Sequence, residues 1–200
     1  QYSTENGKRY PPGTRVDPGG VNFSVFSRHA SRVELLLFSN ADSPDPFQVI
    51  VLDPETHRTF FAWHVYVNDL PAGTWYAWRM DGPTNTGETG LRFDADKALL
   101  DPWSRAVSHT LWNRQRASEP GDNVASSLRS MIVAADEYDW GSDTPLRIPS
   151  QTAVIYEMHV GGFTRHPSSA TTHPGTFEAL IEKSPYLQSL GITHVELMPV

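Results

Sequence analysis

Two glutamates and eight histidines head the residues of this chain able to do chemistry. Glu157 lies in the largely apolar run 153–160 and Glu196 in the run 192–200, and the two runs read as adjacent strands. Two carboxyls roughly 5 Å apart can cleave a glycosidic bond with retention, one as nucleophile and one as acid. Both glutamates, however, precede the C-terminal ends of their strands. Active sites on parallel barrel strands are built from those ends and the loops beyond them. We therefore read this pair as structural and assign no catalytic residue.

The histidines raise the question of a metal. His159 and His194 sit on the two expected strands and His166 and His173 on the connection between them, yet no pair has H-x-H or H-x-x-x-H spacing. With zero cysteines to complete a ligand set, no metal site is expected. His159 keeps a functional reading because it falls near the end of its strand, where ligand sites of parallel sheets open. Trp63, Trp75 and Trp78 suggest a stacking platform for pyranose rings, whose C–H faces are apolar. Trp63 and Trp78 fall on the apolar side of alternating strands, the position of core residues. Trp75, opposite Trp78, is expected to be exposed and is the second candidate contact. No G-x-S-x-G, P-loop or G-x-G-x-x-G motif occurs.

The elements that must position these residues follow from pattern. Residues 153–160 are bounded by Pro149 and by Gly161-Gly162, which reads as a buried strand ending in a tight turn. Phe177, Leu180, Ile181, Leu187 and Leu190 then recur at near-helical spacing, with Thr176 as N-cap and Gly191 ending the last turn. Pro185 divides this stretch into two short helices, the second capped by Ser184. Val195 and Leu197 alternate with Glu196 and Met198 in the closing strand. Strand, helix, strand is the βαβ unit of a parallel sheet.

Upstream the period changes to two. Residues 21–27, 32–38, 48–52, 60–67 and 74–81 are short alternating runs separated by turn clusters such as Asn40-Ala-Asp-Ser-Pro-Asp-Pro46, with no helical period among them. They describe an antiparallel β-sandwich whose inward side carries Phe61, Trp63, Val65, Tyr76, Trp78 and Met80. Residues 1–20 read as a polar entry arm and residues 118–130 as a polar excursion, with a short strand expected at 131–133.

Tyr156-Glu-Met-His-Val-Gly-Gly-Phe-Thr164 and Leu190-Gly-Ile-Thr-His-Val-Glu-Leu-Met-Pro-Val200 resemble the first two barrel strands of the α-amylase superfamily, glycoside hydrolase family 13. They are most similar to isoamylase-type glycogen debranching enzymes. That group usually has an arginine where Gly161 stands, so the loop after the first strand is expected to differ in charge and shape. Gly20-Val-Asn-Phe-Ser-Val-Phe-Ser27, Ala30-Ser-Arg-Val-Glu-Leu-Leu-Leu-Phe38 and Gly73-Thr-Trp-Tyr-Ala-Trp-Arg-Met-Asp-Gly-Pro83 resemble the family 48 carbohydrate-binding module that precedes the barrel in debranching and branching enzymes. The resemblance implies a multi-domain chain: an immunoglobulin-like sandwich over 1–110, a linker and barrel entry over 111–150, and the start of a (β/α)8 TIM barrel over 151–200. It implies hydrolysis of α-1,6 branch links in glycogen or related α-glucans, with catalytic residues beyond residue 200 and no organic cofactor. A branching enzyme or a maltooligosyl-trehalose trehalohydrolase shares both parts. A non-catalytic glucan-binding or scaffolding protein is the alternative of another class.

Composition sets outer limits. A formal charge of -7 with no basic cluster argues against nucleic acid, whose phosphates demand Lys and Arg, whereas a neutral polysaccharide is indifferent to it. The absence of cysteine, of an apolar run near 18 residues and of a signal-type segment suggests a cytoplasmic protein without a membrane partner. Oligomeric state is not legible in the sequence.

Overall fold

The computed structural model describes residues 1–134 and 139–199, which fall into two compact units, Gln1–Tyr138 and Asp139–Val200. Unit 1 is a two-layer antiparallel sandwich. Its first sheet has the order β1 (Thr4–Asn6), β7 (Ala62–Asn68), β3 (Gly20–Phe26), β2 (Gly13–Asp17), with β6 (Arg58–Thr59) paired to β7. The second has the order β10 (Val107–Ser108), β11 (Arg129–Met131), β8 (Trp75–Asp81), β4 (Arg32–Phe38), β5 (Gln48–Val51), with β9 (Ala98–Leu99) paired to β8. Two short helices, α1 (Thr86–Thr89) and α2 (Arg114–Ser118), lie in the connections.

The expected alternation builds the core. Val21, Phe23, Val25, Val33, Leu35, Leu37, Trp63, Val65, Tyr76 and Trp78 are buried together between the sheets, with Phe23 edge-on to both Tyr76 and Trp78. Phe61 departs from this set. It lies before β7 begins, in the turn between β6 and β7, and is partly exposed.

Two stretches read as peripheral belong to the fold. The arm 1–20 contributes β1 and β2, and its backbone satisfies polar groups on the outer side of β3. Asn22 exchanges hydrogen bonds with the Lys8 backbone, and Ser24 Oγ donates to the Arg9 carbonyl at 2.7 Å. Residues 107–132 likewise fold back onto the second sheet, where β11 pairs with β8 and Ile132 joins the core. The sandwich boundary expected at residue 110 therefore falls inside unit 1. The strand expected at 131–133 forms at Arg129–Met131.

Unit 2 is a βαβ arrangement. β12 (Ile155–Met158) and β13 (His194–Leu197) are parallel neighbours, joined through α3 (Val160–Phe163), α4 (Phe177–Glu182) and α5 (Ser184–Ser189). Thr176 caps α4 as expected, its side chain accepting from the Ala179 N–H at 3.2 Å. α5 starts differently: Ser184 is its first residue, Lys183 precedes it without a side-chain cap, and Pro185 sits in the first turn. Gly191, at φ +77, follows α5 in the left-handed conformation that a side chain rarely adopts. Among the described residues no helix is long and apolar enough to cross a membrane.

Candidate functional site

At the C-terminal end of β12 the chain turns at once into α3, so the strand is shorter than the run 153–160 and Val160 is helical. His159 occupies the junction. Its Nδ1 accepts from the Gly162 N–H at 3.1 Å, capping α3 and leaving Nε2 as the N–H of the neutral ring. The side chain is exposed, and Nε2 has no partner among the described residues. Gly161 and Gly162 thus form a helical turn rather than a simple reversal. A Cβ added to Gly161 would lie 3.3 Å from His159 Nδ1 and 3.5 Å from Arg165 Nη2. The guanidinium of Arg165 therefore stands beside Gly161. The loop after α3 is pinned: the buried Thr164 accepts from Gly175 N–H at 2.8 Å through Oγ1 and from Ser169 Oγ at 2.6 Å through its carbonyl.

Glu157 pairs in register with Glu196, and Ile155 with His194. Alternation puts these four on one face and Tyr156, Met158, Val195 and Leu197 on the other. Both glutamates are interior positions of their strands, and both are exposed in this chain. Side-by-side carboxylates repel, so the arrangement needs a neighbour supplying charge or hydrogen bonds. Among the described residues no group of three or more His, Asp or Glu is placed to hold a metal ion.

Trp75 begins β8, opposite Phe38 and Met131. It is half-buried rather than exposed because the outer face of the second sheet is covered. Leu36, Phe38, Ala77, Ala98 and Val124 form a second apolar cluster there, and Trp75 packs on its edge. Arg129 closes this cover. Fully buried, it sets its guanidinium 3.8 Å from the Phe38 ring centroid and donates to Ser127, to the Val124 carbonyl and to the Ser43 carbonyl. Burial alone pulls its pKa down to about 10, so the group stays charged at neutral pH.

Sequence reasoning missed one further feature of unit 1. Tyr10, Phe26, Phe60 and Phe61 stand exposed around a groove of about 360 Å³ on the first sheet. Its signal is the pair Phe60-Phe61 at the start of the alternating run 60–67, where the pattern alone describes a strand rather than a turn.

This architecture is an antiparallel β-sandwich followed in the chain by a parallel βαβ unit. Residues 11–104 match the model of carbohydrate-binding module 48, the isoamylase N-terminal domain. The chain is 39% identical over 206 residues to the glycogen debranching enzyme of Pectobacterium atrosepticum, an alignment covering 98% of this chain and 30% of that protein. It is 38% identical over 192 residues to chloroplastic isoamylase 1 of rice, covering 94% of this chain and 24% of that one. The chain as a whole resembles isoamylase-type glycogen debranching enzymes, of whose length it spans about a quarter to a third. Among solved structures, the group B Streptococcus pullulanase aligns over 95% of this chain and 24% of its own with a TM-score of 0.69 at 22% identity, a likeness of fold.

Proposed function

We propose that this chain is the N-terminal portion of a debranching hydrolase that cleaves α-1,6-glucosidic links in glycogen or related α-glucans. In this reading unit 2 is the first βαβ unit of a (β/α)8 barrel, unit 1 is its accessory sandwich, and the partner is a neutral polysaccharide. The observation that carries the reading is the similarity to proteins named isoamylase and glycogen debranching enzyme, which runs through both units. The implied chemistry is a double displacement: a carboxylate attacks the anomeric carbon, a second carboxyl protonates the leaving oxygen, and water then releases the glucan. Neither Glu157 nor Glu196 takes these roles, since both lie before the strand ends where barrel sites are assembled. The pair instead supports the barrel interior.

His159 is the better placed of the two candidate sugar contacts. It follows the last residue of β12, and the α3 cap orients its Nε2 as a donor for a sugar hydroxyl. Trp75 offers only the part of its ring that the apolar cluster leaves uncovered. The test is an assay of the full-length gene product on glycogen and on pullulan. Reducing ends released readily from glycogen and poorly from pullulan are the isoamylase-type result. Glucan transfer without net hydrolysis would overturn the reading in favour of a branching enzyme.

A further inference from the structure

We propose that the groove edged by Tyr10, Phe26, Phe60 and Phe61 is a stacking site for a linear α-1,4-glucan chain, with Arg9 and Arg28 binding sugar hydroxyls. The inference rests on reading the chain as part of a glucan-acting protein, and it puts the sandwich's glucan contact away from Trp75. It starts from a strained turn. Thr59 pairs with Ala62, so β6 and β7 are joined by a two-residue loop, Phe60-Phe61. Such loops favour glycine at a first position with positive φ. Phe60 takes that position at φ +56, where a bulky side chain is an outlier. The turn thereby holds the Phe60 ring in solvent at 78% exposure. Strained positions of this kind cluster at ligand-binding and active sites, which makes the Phe60 side chain a candidate contact.

The neighbours complete an aromatic surface. Phe26, last residue of β3, pairs in register with Ala62 and is 66% exposed. Its ring stands edge-on to Phe61 with centroids 6.1 Å apart, and Tyr10 is 76% exposed beside them. An exposed patch of this kind on a folded domain generally marks a recognition surface. Arg58 fixes the turn from below, donating to the Phe60 carbonyl at 3.0 Å and the Arg28 carbonyl at 3.1 Å. Arg9 and Arg28 lie 5.6 Å and 5.4 Å from the Phe60 and Phe61 ring centroids, and their guanidinium groups make no hydrogen bond or ion pair among the described residues.

This chemistry selects the occupant. The guanidinium groups stand over the Phe60 and Phe61 rings, so a pyranose C–H face stacks on the exposed ring surface they leave free, with their N–H donors beside it for hydroxyl acceptors. A neutral chain loses nothing to the net charge of -7, whereas a polyanion is drawn by the arginines at the groove and opposed by that net charge at longer range, which is why a polyglutamate peptide belongs in the test. Phe26, Arg28, Phe60 and Phe61 all lie within the residues that match the carbohydrate-binding module.

The test is NMR titration of the 200-residue chain with maltoheptaose, which for a shallow site should give a Kd of about 1 mM. Shifts centred on residues 9–10, 26–28 and 59–62 are expected. Phe60→Gly should weaken binding about tenfold, ~1.4 kcal/mol, while raising the denaturation midpoint, because glycine relieves the turn. Opposite signs in these two readouts separate a lost contact from a damaged fold. Phe60→Trp should restore or exceed the original affinity. The proposal is overturned if maltoheptaose produces no shifts, if binding survives Phe60→Gly and Phe26→Ala but is lost in Trp75→Ala, or if a polyglutamate peptide shifts these residues and maltoheptaose does not. Those results would leave hydrolysis of glycogen by the full-length product, the test of the broader reading, untouched.

Discussion

The Tyr76 hydroxyl donates to the Asp101 carboxylate at 2.9 Å, and Asp101 is almost wholly buried. The same carboxylate oxygen accepts from Trp78 Nε1 at 3.3 Å, and its partner oxygen accepts from the Trp103 N–H at 2.8 Å. Burial, and then this carboxylate, push the Tyr76 phenol above its ordinary value, which keeps its proton in place as the donor. One side chain from the segment after β9 thus satisfies the polar tips of two large core aromatics.

Asp101→Ala should therefore destabilise unit 1 by about 3 kcal/mol, because it strands two buried donors at ~1–3 kcal/mol each. Asp101→Asn keeps an acceptor in place and should cost about 1 kcal/mol. Chemical denaturation followed by tryptophan fluorescence measures both. Equal costs for the two variants would mean that charge, rather than hydrogen-bond geometry, is what matters there.

The Arg129 guanidinium spans acceptors on Ser43, Val124, Ser127 and Leu128 while lying on the Phe38 ring, a reach that a lysine ammonium does not have. Arg129→Lys should cost about 2–4 kcal/mol, since acceptors and a cation are left buried without their partners. It should also open residues 107–130 to trypsin before the rest of unit 1 is cut. A variant within about 0.5 kcal/mol of the parent would show that this cover is held by its apolar contacts alone.

What the sequence made legible is what obeys a period. β3, β4, β7 and β8 were readable because alternating apolar residues face a core, and α4 because Thr176 and its apolar spacing agree. The cover over the second sheet was unreadable, for it carries few apolar residues, Ala98 and Val124 among them, and closes with a buried cation. A charged residue reads as solvent-facing unless its partners are known, and those of Arg129 include Ser43, far away in sequence. The β6–β7 turn was misread because two phenylalanines hold a position where glycine or asparagine would have announced it. The same absence of a turn signal hid the exposed aromatic groove. At the candidate site, His159 was legible as lying near the strand end, whereas its helix-capping role needed the observed start of α3.

His64 gives the sandwich a pH dependence. The ring is buried, its Nε2 and Thr59 Oγ1 share a hydrogen bond of 2.8 Å, and Nδ1 has no partner among the described residues. Burial, and secondarily His57, hold its pKa below the ordinary value of about 6.5. Between the folded value and about 6.5 the unfolded chain binds more protons than the folded one, so stability rises with pH there. The contribution is fully present above about 6.5 and is lost as pH falls toward the folded value. The denaturation midpoint should drop more steeply from pH 7 to pH 5 in the parent than in His64→Gln. Parallel pH profiles would remove His64 as the cause.

The last prediction concerns the one carboxylate pair that invites a catalytic reading. Glu157 and Glu196 sit in register on adjacent parallel strands, which invites comparison with the paired nucleophile and acid of retaining glycosidases. Pairing alone is insufficient, because the reacting bond must also be held in a pocket that excludes water and aligns the attacking oxygen. Among the described residues the pair lies on an open face of a two-stranded sheet whose apolar residues Ile155, Val195 and Leu197 are themselves exposed. Nothing there forms walls around a glycosidic bond, so the 200-residue chain should release no reducing ends from glycogen above background. In the full-length protein Glu157→Gln and Glu196→Gln should act through stability, lowering the thermal midpoint while retaining a substantial share of kcat. Loss of a true nucleophile or acid would instead remove several powers of ten with the fold intact. Measuring kcat and the thermal midpoint on both variants separates the two cases. A collapse of kcat at unchanged stability would make this pair the catalytic centre.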